Sequence, residues 1–411
     1  MSWASSGGMA LTGHRGGVPV MSPAPAYELL GTVADALALV TGQVGERVVI
    51  DAAATVFGRA GWSGRGRDGR RSVGGASRML RTADGWCVVT LARPDDFDAV
   101  PAILGSATGA GAWTALADAA RQWSAGALAE RAQLLGVPAA VVPARPSSGL
   151  GLPFGARSAL PWRASRIASS DPTVNLRDCL VVDLSALWAG PLCARLLGLA
   201  GARVVKVESA HRPDGGRAVG PELFGWLHEG KEFRTVDFHA AAGRRELADL
   251  IAAADVVIEA SRPRALRQLG LAPEEVAHRP GRVWLSLTGY GRADPLRVAF
   301  GDDAAAAGGL VGWDVDGPVF CGDAIADPLS GICAALAVAT AVQAGGGVLI
   351  DLSMRATAAA FAAAPGLDHG PHRVVPHGDG WNVECTAYEH TQRVLPPPIP
   401  ESAPRAGGAR C

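Results

Sequence analysis

Lysine is nearly absent from this 411-residue chain: of 38 basic residues only Lys206 and Lys231 are lysines. Where arginine serves as the generic surface cation, a position that keeps lysine is one that needs a compact, flexible ammonium. A basic stripe is also missing. The formal net charge is −1 and charged residues make up 19%, so no nucleic-acid surface is expected. The seven cysteines are odd in number, scattered and without a Cys-x-x-Cys pair. They read as reduced thiols of a cytoplasmic protein with no zinc site. The nine histidines show no His-x-x-x-His spacing, and no metal site is expected. No apolar run follows a basic start, so no signal peptide is expected. The one membrane-like stretch, 331–350, is broken by Gln343, Gly345, Gly346 and Gly347. It reads as a buried helix, a turn and a strand, and no membrane partner is expected.

What is present is a hydrophobic content of 48%, enough for two or three domains with ample cores. Residues 1–24, rich in Gly, Ser and Pro, are expected to be disordered. Segment 25–60 carries a helix from Ala26, a short strand Arg47-Val48-Val49-Ile50-Asp51 and a second helix from Ala52. Residues 61–147 read as a small α+β domain with a hairpin turn at Thr82-Ala83-Asp84-Gly85-Trp86, and 148–172 as a Pro/Ser-marked linker. Residues 173–365 alternate strand and helix, with near-continuous apolar strands at 179–184, 203–208, 234–238, 255–259 and 282–287 and helices at 241–254 and 273–278. That pattern signals an α/β domain with an open, parallel, Rossmann-like sheet covered on both faces. The tail, 366–411, is expected to be extended apart from a strand-like piece at 381–385.

Two stretches repeat. Ala26-Tyr27-Glu28-Leu29-Leu30-Gly31 and Ala326-Asp327-Pro328-Leu329-Ser330-Gly331 share Ala-x-x-Leu-x-Gly, and Val-Val-Ile-Asp at 48–51 answers Val-Leu-Ile-Asp at 348–351. The offset is 300 and the helix–turn–strand order is the same, so the first segment reads as a copy of part of the second. Tyr27 then stands where Asp327 stands, and only the second copy can do carboxylate chemistry. Asp327 before Pro328 also reads as the N-cap of a long apolar helix. Earlier in the large domain, Ala189-Gly190-Pro191 between two strands resembles a mononucleotide-binding turn. It lacks the Gly-x-Gly-x-x-Gly loop that a dinucleotide pyrophosphate needs.

The motifs occur in a familiar order. They are Val182-Asp183-Leu184-Ser185 with Ala189-Gly190-Pro191, Lys206-Val207-Glu208, Gly230-Lys231, Asp255-Val256-Val257-Ile258-Glu259 with Arg262-Pro263, Leu287-Thr288-Gly289-Tyr290-Gly291, Asp327-Pro328-Leu329-Ser330-Gly331 and Ile350-Asp351-Leu352-Ser353-Met354. Over about 175–355 the chain resembles the class III CoA-transferases of the CaiB/BaiF type, which include formyl-CoA and carnitine-CoA transferases and α-methylacyl-CoA racemase. Residues 26–142 resemble a part of the fold that follows the sheet domain in ordinary members, so the domain order looks permuted. The resemblance implies an acyl-CoA:carboxylate CoA-transferase with Asp327 as the catalytic aspartate. It places Ala186, Trp188, Ala189, Lys231 and Ser261 at CoA-contacting positions. Its substrates are acyl-CoA and a carboxylic acid acceptor, with no permanently bound cofactor, and its assembly is an interlocked homodimer. The racemase branch adds a histidine before the aspartate; here the region reads Phe300-Gly301-Asp302-Asp303, with Asp302 and Asp303 as a helix cap or a substitute base. A racemase or isomerase, or a non-catalytic CoA-binding protein, are the alternative readings. Arginines of 65–81 read as a solvated loop or as phosphate contacts.

Overall fold

A computed structural model describes residues 1–106, 109, 111–145, 160–365 and 371–401. Its centre is a seven-stranded sheet in the order Trp162–Arg166, Val348–Ser353, Val283–Thr288, Val256–Glu259, Leu180–Asp183, Arg203–Ser209, Glu232–Val236. All neighbouring pairs are parallel except the edge pair of Trp162–Arg166 with Val348–Ser353. Numbering the parallel strands by chain position gives 6-5-4-1-2-3, the doubly wound order. Its connections diverge between Leu180–Asp183 and Val256–Glu259, and ligands of such sheets sit at the carboxyl ends of the strands there.

Period-two alternation gives the strands two apolar faces. Val181, Val204, Ile258 and Leu285 pack into one core with the helices Ala26–Val44, Ala189–Leu199 and Ala326–Gln343. Val182, Val205, Val257 and Trp284 pack into the other, against Ala241–Ala253 and Leu266. The Ala326–Gln343 helix is long and apolar enough to cross a membrane, but 72% of it is buried inside the protein. It ends at a turn of three glycines with positive φ, Gly345 to Gly347, and the chain re-enters the sheet at Val348 as expected. A third core belongs to a three-stranded antiparallel sheet, Ser77–Arg81, Trp86–Thr90 and Ala139–Val141, with its four helices between 94 and 134.

Several expectations are corrected. Residues 1–24 are ordered: Ser2–Ser5 is helical, and Trp3, Met9, Leu11 and Thr12 are buried. Their Gly and Ser content serves tight packing, since a Cβ at Gly8 would meet Trp3 and Phe57. Residues 47–51 form no strand because no strand lies beside them; Val49 is 75% exposed and Asp51 caps the Ala52–Ser63 helix through the Ala54 N–H. The linker expected at 148–172 contains the sheet's edge strand, Trp162–Arg166; residues 148–159 lie outside the described residues. The helix expected at 273–278 falls instead at Pro263–Gln268, where Pro263 fits the first helical position. The tail holds a three-stranded antiparallel sheet, His372–His377, Gly380–Cys385 and His390–Arg393; residues 366–370 and 402–411 lie outside the described residues.

Candidate active site

Asp327 is the second residue of the Ala326–Gln343 helix, and Ile325 is the N-cap position, with no side-chain cap. The capping role expected of Asp327 is therefore absent. Its carboxylate turns away from its own helix and accepts a hydrogen bond from the Gly301 N–H. The approach is close: a Cβ on Gly301 would overlap Asp327 Oδ2 and the Ala324 carbonyl oxygen. Ala324, three residues before the aspartate, is held at φ 43°, in a region that non-glycine residues seldom occupy and that is concentrated at functional sites.

Protein surrounds Asp327 although part of the residue stays open to solvent. Burial pushes its carboxyl up to about 7, with Arg59 pulling it down, Asp302 pushing it up and the Gly301 N–H pulling it down. Asp302 is also pushed up, by burial first and then by Asp323. Its Oδ1 accepts from Ala324 N at 2.9 Å and its Oδ2 from Ser77 Oγ at 3.2 Å. Asp303, the third residue of the Gly301–Ala307 helix, closes a capping box by accepting from Phe300 N, and also accepts from Thr90 Oγ1, at 3.0 Å each; burial pushes it up to about 8. Sequence reasoning missed Arg59. Its Nε donates to Asp323 Oδ2 at 2.7 Å and its Nη2 to Asp323 Oδ1, while the guanidinium lies 5.0 Å from the Trp188 ring centre.

The turn after Leu180–Asp183 touches this helix. A Cβ at Gly331 would stand 2.6 Å from the Ala189 carbonyl oxygen, so only glycine lets the two backbones approach this closely. Of the residues placed at CoA-contacting positions, Ala186 is exposed at the tip of the turn, beside Leu187 at φ 70°. Ala189 opens its helix and is buried, and Trp188 is buried beneath Arg59 with its ring N–H unpartnered. Ser261 lies half-buried in the loop after Val256–Glu259 and donates to Glu259 Oε2 at 3.1 Å.

Lys231 departs from expectation. Its side chain points inward, 2% exposed, to Asp183 Oδ2 at 3.0 Å and the Pro191 carbonyl at 2.9 Å. A phosphate contact would require that pair to open. Lys206 is buried alongside, bonded to the Ser185 carbonyl and 3.3 Å from Asp214 Oδ2. Asp214 Oδ1 in turn accepts from Leu187 N at 2.9 Å. Both lysines of the chain thus brace the turn from beneath, each with a compact ammonium. Burial alone would raise the Asp183 carboxyl; Lys231 and Lys206 outweigh it and hold it well below the usual range. His228, packed beside the cluster, is pushed down to about 3, chiefly by burial and then by Lys231.

The arginines of 65–81 bind protein groups: Arg67 donates to the carbonyls of His14 and Gly17, Arg70 pairs with Asp314, and Arg78 covers Trp113. Among the described residues no group of His, Cys, Asp and Glu is arranged to hold a metal ion.

Because the Gly301 amide meets Asp327 so closely, Gly301→Ala is expected to displace the carboxylate and cost about 1–3 kcal/mol of stability. Thermal melting reads the cost; an unchanged midpoint would show that the helix start yields freely.

The sequence profile of CoA-transferase family III matches residues 176–390, just over half of the 411 residues. The chain is 32% identical over 254 residues to an acyl-CoA transferase of Fusarium pseudograminearum, covering 54% of this chain and 55% of that protein. It is 31% identical over 205 residues to the succinyl-CoA–D-citramalate CoA-transferase of Chloroflexus aurantiacus, covering 46% and 51%. To the beta subunit of the succinyl-CoA–L-malate CoA-transferase of that organism it is 31% identical over 240 residues, covering 54% and 59%. The chain spans about half the length of these curated relatives. With the profile match over the sheet domain and its flanks, the chain belongs to CoA-transferase family III.

Proposed function

We propose that the protein is an acyl-CoA:carboxylate CoA-transferase working through a covalent intermediate on Asp327. One observation carries this reading. Asp327 heads a helix that touches the turn at the diverging point of the sheet, where a ligand of a doubly wound fold binds. The chemistry follows from a carboxylate there. Asp327 attacks the thioester carbonyl, giving a mixed anhydride and CoA thiolate. The thiolate attacks the aspartyl carbonyl and releases the donor acid, leaving an aspartyl-CoA thioester. An incoming carboxylate repeats the steps in reverse and leaves with CoA, and Asp327 is restored. Dividing one hard acyl transfer in this way lowers each barrier, and the Gly301 N–H stands where charge on the aspartyl oxygen changes. The relatives named for a succinyl-CoA donor support a carboxylic acid as acceptor.

A racemase would need a second base beside Asp327. Asp302 stands in the stretch where the racemase branch would carry its histidine, and both of its oxygens already accept hydrogen bonds. Transfer is therefore the preferred reading. Incubation with succinyl-CoA followed by peptide mass spectrometry tests it: the expected result is a CoA or acyl adduct on the Asp327 peptide, absent in Asp327→Ala. Deuterium entering the α-carbon in D2O without an adduct would favour racemisation. CoA binding with neither signal would leave a binding protein.

A further inference from the structure

The repeat runs further than its helix. At an offset of 300, helical turns Ser2–Ser5 and Gly301–Ala307, glycines 8 and 308, and reverse turns at 14–17 and 314–317 also correspond. So do the helices Ala26–Val44 with Ala326–Gln343, and Ala52–Ser63 with Met354–Ala362. The two copies pack on each other through equivalent residues. Thr12 meets Gly312, and the side chains of Gln43 and Gln343 bond. Self-equivalent contacts of this kind mark an approximate two-fold axis, here inside one chain.

The axis is broken at the functional site. Tyr27 replaces the aspartate and stands among Trp3, Phe57, Ile325 and Leu329. Arg59 answers Ala359, and Asp323 answers Pro23. The copy without the acid therefore carries the cation, and the copy with the acid carries the cation's partner. Arg59 and Asp323 join across the axis with the guanidinium largely out of solvent. The acids and donors placed around Asp327 are Asp323 from the loop before its helix, Asp302 and the Gly301 N–H from the Gly301–Ala307 helix, and Arg59 from Ala52–Ser63. Ser72 and Ser77 add hydroxyls on Asp302. Three carboxylates thus share one guanidinium.

The geometry points to Arg59 as a positioning residue of the transfer site, supplied by the acid-free copy, whose charge keeps a working share of Asp327 ionised and so nucleophilic at neutral pH. This rests on the transfer reading of Asp327. A second arginine would neutralise the cluster further and weaken a carboxylate nucleophile; none would leave Asp327 protonated. Burial already works against its charge, and an opposite charge nearby is what offsets burial.

The test uses the full chain and a readout other than turnover. Carbodiimide labels protonated carboxyls, so the pH at which labelling of the Asp327 peptide falls by half reports its ionisation. In Arg59→Gln that half-point is expected to rise by about one pH unit or more, with about a fivefold or greater loss of rate at neutral pH. Arg59→Lys keeps the charge and holds the half-point within about half a unit. Asp323→Asn removes a neighbouring negative charge and frees Arg59, so its half-point falls. Opposite shifts in Arg59→Gln and Asp323→Asn are the signature, because loosening the fold would move both variants the same way. An unshifted half-point in folded Arg59→Gln, or shifts of one sign in both, overturns the assignment. If succinyl-CoA leaves no adduct on Asp327 of the unaltered protein, the transfer reading fails while the labelling half-points still decide the role of Arg59.

Discussion

Asp327→Asn is expected to lose CoA transfer by about three orders of magnitude or more, the scale seen when a covalent nucleophile is removed, and at the same time to melt higher at alkaline pH. The first half follows from chemistry: an amide cannot attack a thioester to form the anhydride. The second follows from linkage. The carboxyl titrates near 7 in the folded protein, raised first by burial, against about 3.9 in an unfolded chain. Below about pH 4 both states are protonated and nothing is lost. As pH rises towards 7 the unfolded chain ionises first, so stability declines across that window and stays low above it. Asparagine removes the decline. Solvent reaches part of Asp327, which reduces the full linkage value, and about 2 kcal/mol of gain at pH 8 is expected. Melting curves at pH 4 and pH 8 check this: the gain should be present at the higher pH and small at the lower. Equal gains at both would show that packing, not ionisation, is responsible.

Lys231→Met is expected to cost about 3–5 kcal/mol, because it leaves the Asp183 carboxylate buried without its partner. Asp183 is fully inaccessible and would keep only Lys206 as a nearby cation. Adding Asp183→Leu should recover part of the loss, since an apolar pair of similar volume removes the stranded charge. Urea unfolding of the two single variants and the double variant measures the coupling. A rise in KM for acyl-CoA with unchanged stability would instead mean that Lys231 swings out to meet phosphate, the role its motif position implied.

Much of the sheet was legible because its signals are local. Apolar runs such as Val181-Val182 and Val256-Val257-Ile258 can be buried only between two helical layers, and alternation with helices forces parallel pairing. Asp327 was legible for a different reason, its place in an ordered series of motifs. The N-terminal 24 residues were misread because Gly and Ser have the same composition in a disordered arm as in a close-packed one. The correspondence of Gly8 with Gly308, which extends the repeat upstream of Ala26, distinguishes them. Arg59 carries no local signal at all, being one arginine in an Ala-rich helix; its partner lies 264 residues away. Comparing the two copies for charge could have found it, since Arg59 faces Ala359 and Asp323 faces Pro23 in the repeat. The scarcity of lysine pointed to the turn after Leu180–Asp183. Lys206 and Lys231 both lie under the turn, but as buried struts.

The packing of the first copy on the second also sets a timetable for biosynthesis. Trp3, Met9, Leu11 and Phe57 bury their surfaces in a core shared with Ile325, Leu329 and Phe361. At about 5–20 residues per second a ribosome needs about 15–60 s to make the intervening 300 residues. For that time the opening segment has no twin to cover it, and the small domain of residues 77–141, with its own core, can fold first. Residues 3–57 thus reach their native contacts long after they are made, and chaperones that hold apolar segments have that interval in which to act.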